Sequence, residues 1–265
     1  MGISAAFMVP HPPLIVAEVG RGEERKIQRT IDAYGEVARR IGALRPETIV
    51  VISPHQTMYA DYFHISPGTW GKGDFGQFRA GQVRMEVPYD TIFVKELCQL
   101  ADSCGLPAGT EGERDRRLDH GTMVPLYFVN QQWEGYRLVR IGLSGLPLKM
   151  HYDLGRCIFN AAEALGRQTV LIASGDLSHR LKAEGPYGYR KEGTKYDQQV
   201  MDIMGRAAFA ELLDFPEDFC SQAGECGHRS FVMMAGALSQ LQITPEKLSY
   251  EGPFGVGYGI CAYSL

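Results

Sequence analysis

The chain has 265 residues, 45% hydrophobic and 22% charged, which suits one large α/β domain and excludes a disordered, collagen-like or coiled-coil chain. Against 31 Asp and Glu stand 27 Lys and Arg, a formal charge of −4 and too mild to suggest a nucleic-acid or anionic-membrane surface. The longest wholly apolar run, Phe231–Leu238, is eight residues, far short of the ~20 that span a bilayer, and the start lacks a basic signal-peptide region. A cytoplasmic protein that handles small molecules is the expectation. Six cysteines are scattered without a CxxC pair, so most are expected to be buried, reduced core thiols rather than zinc ligands or disulfides.

In chain order, the Val- and Ile-rich runs Ala5–Val9, Thr48–Ser53, Leu138–Leu143 and Thr169–Ser174 read as buried strands. Between them lie segments of helical period. In Glu23–Leu44 the apolar positions Ile27, Ile31, Tyr34, Val37 and Ile41 recur every three or four residues and Pro46 closes the segment, a helix by periodicity. Thr91–Cys104, Tyr152–Leu165, Tyr196–Leu213 and Ser230–Leu241 read the same way, and Tyr258–Tyr263 reads as a last strand. Gly68–Gly81, with five glycines, and Ala183–Gly193, with three, read as surface loops. The alternation predicts a single α/β domain over residues 1–265, a mixed, largely parallel sheet flanked by helices on both faces.

Three of the strand-like runs deliver a histidine just past their ends: His11 after Val9-Pro10, His55 after Ser53-Pro54, and His179 after Ser174-Gly175-Asp176-Leu177-Ser178. Ligands of open α/β sheets sit outside the carboxyl ends of the strands, so residues far apart in sequence can converge there. Pro10, Pro54, Pro12 and Pro13 stiffen two of these turns. His120, in Asp119-His120-Gly121, is a candidate proton donor or oxyanion stabiliser, with Arg114, Arg116 and Arg117 before it as candidates to hold an anionic group. His64 and His151 read as structural.

Two histidines and a carboxylate around open positions suit non-haem Fe(II) and O2 chemistry. Glu225, in Gly224-Glu225-Cys226-Gly227-His228, and Glu251, in Tyr250-Glu251-Gly252-Pro253, compete for the acid's place; Cys226 and His228 are further possible ligands. The same set around zinc would activate water in a hydrolase.

Taken together, Pro10-His11-Pro12-Pro13, Ser53-Pro54-His55, Asp119-His120-Gly121 with Val124-Pro125-Leu126, Gly175-Asp176-Leu177-Ser178-His179, and Gly224-Glu225 before Met234-Ala235-Gly236-Ala237-Leu238 resemble class III extradiol ring-cleavage dioxygenases. That is the group of the protocatechuate 4,5-dioxygenase beta subunit and its Memo-like relatives. The closing run Tyr250–Gly259 is similar to a subunit-B-like branch often joined to an AMMECR1-type domain. The resemblance implies extradiol cleavage of a small aromatic diol with O2. It implies Fe(II), with zinc or copper as alternatives, on His11, His55 and Glu225, with His179 as acid or base and His120 near the reacting oxygens. Glu251 is demoted by it. A copper or redox role involving Cys226 is the Memo-like alternative. A homo-oligomer or an AMMECR1-type domain is the implied partner.

Overall fold

The four Val- and Ile-rich runs lie side by side at the centre of one sheet. The strands of the computed structural model, which describes residues 2–265, are β1 (Ile3–Val9), β2 (Thr48–Ser53), β3 (Phe63–His64), β4 (Trp70–Phe75), β5 (Ala80–Pro88), β6 (Ala108–Gly109), β7 (Arg137–Gly142), β8 (Thr169–Ser174), β9 (Thr244–Glu251) and β10 (Tyr258–Ser264). The helices are α1 (Ala17–Gly20), α2 (Gln28–Leu44), α3 (Thr91–Ser103), α4 (His120–Val129), α5 (Leu148–Leu165), α6 (Lys191–Arg206), α7 (Glu217–Ala223) and α8 (His228–Leu238).

The main sheet runs β7-β2-β8-β1-β10-β9. Its first four strands are mutually parallel, while β10 is antiparallel to β1 and β9 to β10. Alternate side chains of β1, β2 and β8 enter two cores. Met8, Val50, Ile52, Leu171 and Ala173 pack against α3, α5, α6 and α8, whereas Phe7, Val9, Ile49, Val51, Val170 and Ile172 pack against α2 and α4. Burial on both faces is why these strands read as continuous apolar runs instead of alternating ones. The architecture is the expected α/β one. No helix among the described residues is long and apolar enough to cross a membrane.

Local readings changed in several places. Gly68–Gly81 is not a loop: it supplies β4 and the turn of the β4–β5 hairpin. There Gly73 leaves room for the Met123 sulfur, which a Cβ would meet at 2.6 Å. Helix α4 and edge strand β9 were not expected. The segment Glu23–Ile27 is a 3₁₀ turn that leads into α2. Cys157 and Cys261 are buried thiols, but Cys98, Cys220 and Cys226 are half-buried and Cys104 is exposed.

Because β1, β2 and β8 run parallel, Val9, Ser53 and Ser174 end at one edge of the sheet. The turns that follow them face each other there.

Candidate metal centre

The turn after β1 is held at both ends. The Tyr34 hydroxyl on α2 donates to the Pro10 carbonyl, and the His11 N–H donates to Asp176 Oδ1 at 2.8 Å. That fixes the buried His11 ring beside the turn after β2. His11 Nε2 lies 2.9 Å from His55 Nε2 and 3.5 Å from Cys226 Sγ. The ligand atoms of His11, His55 and Cys226 all fall within 4.8 Å of one another, as do those of Asp176, His179 and Cys226. Cys226 takes its place just before α8, where its sulfur accepts the Asp176 N–H at 3.2 Å.

His120 opens α4 and stacks its ring 3.9 Å from that of His55 and 5.4 Å from that of His11. Asp119 caps the same helix, accepting the Thr122 N–H at 3.0 Å and the Ser53 hydroxyl. The His179 Nδ1–H donates to the Gly224 carbonyl at 2.6 Å, and Nε2 faces Asp176 Oδ2 at 3.9 Å. A carbonyl only accepts, so neutral His179 carries its proton on Nδ1 and leaves a lone pair on Nε2. The structure therefore brings His11, His55, His120 and His179 to one place.

Glu225 goes elsewhere, which corrects the expected geometry. Its Oε2 accepts the His228 N–H at 2.6 Å, capping α8, and its side chain lines a separate cavity of about 180 Å³ with Phe215, Cys220 and Arg229. Burial pushes its carboxyl up to about 7. The neighbouring residue, Cys226, is the one that meets the histidines. Glu251 Oε1 accepts the Thr30 N–H and hydroxyl at 2.7 and 2.6 Å near the start of α2, a structural task. His228 is committed to Tyr196 and to the Leu212 carbonyl, His64 to the Glu111 carbonyl, and His151 to Ser144 and Pro147. Arg117 pairs with Asp115 at 2.9 Å. Asp176 is a site residue that the sequence reading leaves without a role; its position three residues before His179 is the signal for it.

Burial is the main force on the histidines. It lowers the pKa of His11, His55 and His179, and takes His120 down to about 4 with help from the nearby His55. Neutral imidazoles are what a metal ion requires. Burial, with Asp176 and Glu225 behind it, holds the Cys226 thiol well above its ordinary range, and coordination to a metal would deprotonate it outright. A tetrahedral ion with bonds of ~2.0–2.3 Å separates its donor atoms by about 3.3–3.6 Å. The 3.5 Å contact of His11 with Cys226 already fits, the two imidazoles, 2.9 Å apart, need part by only a few tenths of an ångström, and the ligand atoms of His55 and Cys226 lie within 4.8 Å. The donor set therefore fits a metal. Beside it, His55 and His120 form one wall of a cavity of about 370 Å³ that Gln56, Asp74, Arg117 and the buried Arg140 continue.

Asp197 on α6 anchors the His179 turn from behind, accepting the Ser178 N–H and the Tyr250 hydroxyl, both at 2.8 Å. Burial pushes its carboxyl up to about 7, against ~4 in the unfolded chain. Between those values the unfolded chain gives up a proton that the folded one keeps, so stability falls as pH rises from about 4 to 7. Asp197→Asn removes the charge while its oxygen still accepts the Ser178 N–H and its amide nitrogen donates to the Tyr250 hydroxyl oxygen. It is expected to raise stability at pH 8 by a few kcal/mol, up to ~4, seen as a higher urea midpoint, and to change little at pH 4; a lower midpoint at pH 8 would show that the charge is needed.

The family model for the catalytic LigB subunit of aromatic ring-opening dioxygenase matches residues 5–261. The chain belongs to this family. It is 37% identical to a Clostridium acetobutylicum protein over 98% of this chain, but spans only 57% of that relative's length. It is 22% identical to the 2-aminophenol 1,6-dioxygenase beta subunit of a Pseudomonas species, over 99% of this chain and 94% of the relative. To a MEMO1 family protein of Thermococcus onnurineus it is 26% identical, over 80% and 71%.

Proposed function

We propose that the chain is a metal-dependent, dioxygenase-like oxidoreductase that opens catechol-type aromatic rings with O2, the metal being held by His11, His55 and Cys226. The observation that carries this reading is the meeting of His11 Nε2, His55 Nε2 and Cys226 Sγ at the carboxyl ends of the parallel strands. Beside them His179 Nε2 carries a free lone pair, and a cavity opens at His55 and His120. Iron is the expected ion, with zinc and copper as alternatives suited to the same nitrogen and sulfur donors.

A bound ion would supply a common point for the two oxygens of an aromatic diol and for O2, and a path for electrons between them. The protein does the rest. His179 takes a phenolic proton on Nε2 while its Nδ1–H stays on the Gly224 carbonyl, which keeps the ring in one tautomer and one orientation. His120 stands over the cavity wall against His55 and Phe78, where a neutral imidazole can donate to a developing oxyanion. Leu118 and the β4–β5 hairpin residues Asp74 and Gln77 bound the cavity and limit which substituents enter.

The test is Fe(II) stoichiometry after anaerobic reconstitution, followed by the visible absorption change on adding catechol. Wild type is expected to bind one ion per chain and to respond to catechol. Cys226→Ala is expected to lose the ion, and Glu225→Gln to retain it. Iron lost in Glu225→Gln and kept in Cys226→Ala would return the acid to the ligand set.

One observation favours a second reading. A thiol in place of a carboxylate in the donor set, with similarity to MEMO1 family proteins, fits a metal- or redox-binding protein without ring cleavage. That reading gains if the ion binds and depends on Cys226 while neither catechol nor O2 is consumed.

A further inference from the structure

Ser174 ends β8 fully buried, and its hydroxyl has two partners. One is His11 Nδ1 at 2.9 Å and the other is the Gly121 carbonyl at 2.6 Å. Gly121 lies in the first turn of α4, where its carbonyl would ordinarily accept the N–H four residues on. That residue is Pro125, inside the helix, and proline has no N–H to give. The Gly121 carbonyl is therefore short of its helical donor while lying deep in the protein, a situation that costs free energy unless another donor arrives. Ser174 supplies it.

A hydroxyl has one hydrogen. Once that hydrogen is on the Gly121 carbonyl, Ser174 can only accept from His11, so the His11 proton must be on Nδ1. The lone pair is then left on Nε2, the atom that faces His55 and Cys226.

We infer that Ser174 is the positioning residue of His11, and that Pro125, by withholding a helical N–H from Gly121, sets the hydrogen-bond direction that selects the metal-binding tautomer. The inference rests on the proposed reading of His11 as a ligand, but its central claim concerns the protein before any ion is added. Ordinarily the proton of a metal-bound imidazole is fixed by a carboxylate or a carbonyl, which can only accept. Here a hydroxyl does this work and acts as an acceptor only because Pro125 makes its other contact compulsory. The Val124-Pro125 step in the sequence thereby acquires a chemical purpose.

The experiment is ¹⁵N imidazole NMR of the metal-free protein at neutral pH, paired with titration by Fe(II) and, separately, Zn(II). Wild type is expected to show His11 as the Nδ1–H tautomer. Ser174→Ala removes the acceptor, so His11 should populate both tautomers and both metals should bind about 10–100-fold more weakly. Ser174→Cys, a weaker acceptor of similar shape, should fall between the two and covers the case in which the alanine variant does not fold. Pro125→Ala returns an N–H to Gly121 and frees the serine hydroxyl, so it should also admit the second tautomer. An Nε2–H His11 in wild type, or unchanged tautomer and affinity in the Ser174 variants, would overturn the inference. An unchanged Pro125→Ala spectrum would remove the proline from it. If the tautomers behave as stated but wild type binds neither metal, it is the functional reading that fails.

Discussion

A Gly155→Val chain is expected not to fold. Gly155 sits where α5 crosses α8, and a Cβ built there would lie 1.9 Å from the Met233 carbonyl oxygen and 2.8 Å from the Ala237 nitrogen. The contact is reciprocal: a Cβ on Gly236 would lie 1.9 Å from the Tyr152 carbonyl. Here the two helices touch backbone to backbone, and no rotamer change can relieve the clash. They would have to move apart by more than an ångström, opening a core in which Phe231, Val232, Met233, Met234 and Ala235 have no exposed surface. Interiors packed at crystal density do not absorb such a shift. The cost exceeds the ~4–5 kcal/mol that marks an exceptional substitution and approaches the whole stability of a domain. The check is soluble yield and far-ultraviolet circular dichroism beside Gly35→Ala on α2. Gly35 has open space around its missing Cβ, so an alanine there should stabilise by about 0.5–1 kcal/mol. A folded Gly155→Val with native melting would mean the helices do not cross as described.

Helix α2 was legible because only one stripe of it is buried: Tyr34, Val37 and Ile41 face the sheet, and a stripe leaves a period. Helix α4 leaves none. Nearly every residue of Gly121–Val129 is buried, so no polar face marks a turn, and Pro125 argues locally against a helix. The parallel strands were legible from their apolar runs. The β4–β5 hairpin was hidden because its glycines, read as loop formers, are there to let Leu118, Tyr89 and Met123 approach the strand.

In the site, His11, His55 and His179 were legible because each follows the end of a strand, and strand ends are where a parallel sheet gathers its ligands. The choice between Glu225 and Cys226 was not. Adjacent residues in a turn point different ways, and which of them faces the strands depends on the backbone. Gly227 settles it by close approach, since a Cβ on Gly175 would lie 2.1 Å from the Gly227 Cα. The turn before α8 is thus pressed against the turn after β8. In that arrangement the Glu225 carboxylate is occupied by the His228 N–H while the Cys226 sulfur lies against Asp176 and His11.

His179→Gln is expected to leave metal stoichiometry intact and to lower turnover of a responsive catechol by about 10²–10⁴-fold, the range for loss of a placed acid or base. Glutamine can still donate to the Gly224 carbonyl, so the turn should survive, but it offers no basic nitrogen. The pH profile separates a proton carrier from a mere wall of the site. Burial, with His55 adding to it, holds the His179 pKa below its usual range, although the Gly224 carbonyl acts the other way. The ring is thus the free base at neutral pH, and the acid limb that this group contributes to the wild-type kcat/KM profile should lie below pH about 6.5. In His179→Gln the acid limb due to this group should vanish, leaving a low rate with a flatter profile. Loss of the ion in this variant would make His179 a ligand, in keeping with its place beside Asp176 and Cys226, and an unchanged rate would remove it from the chemistry.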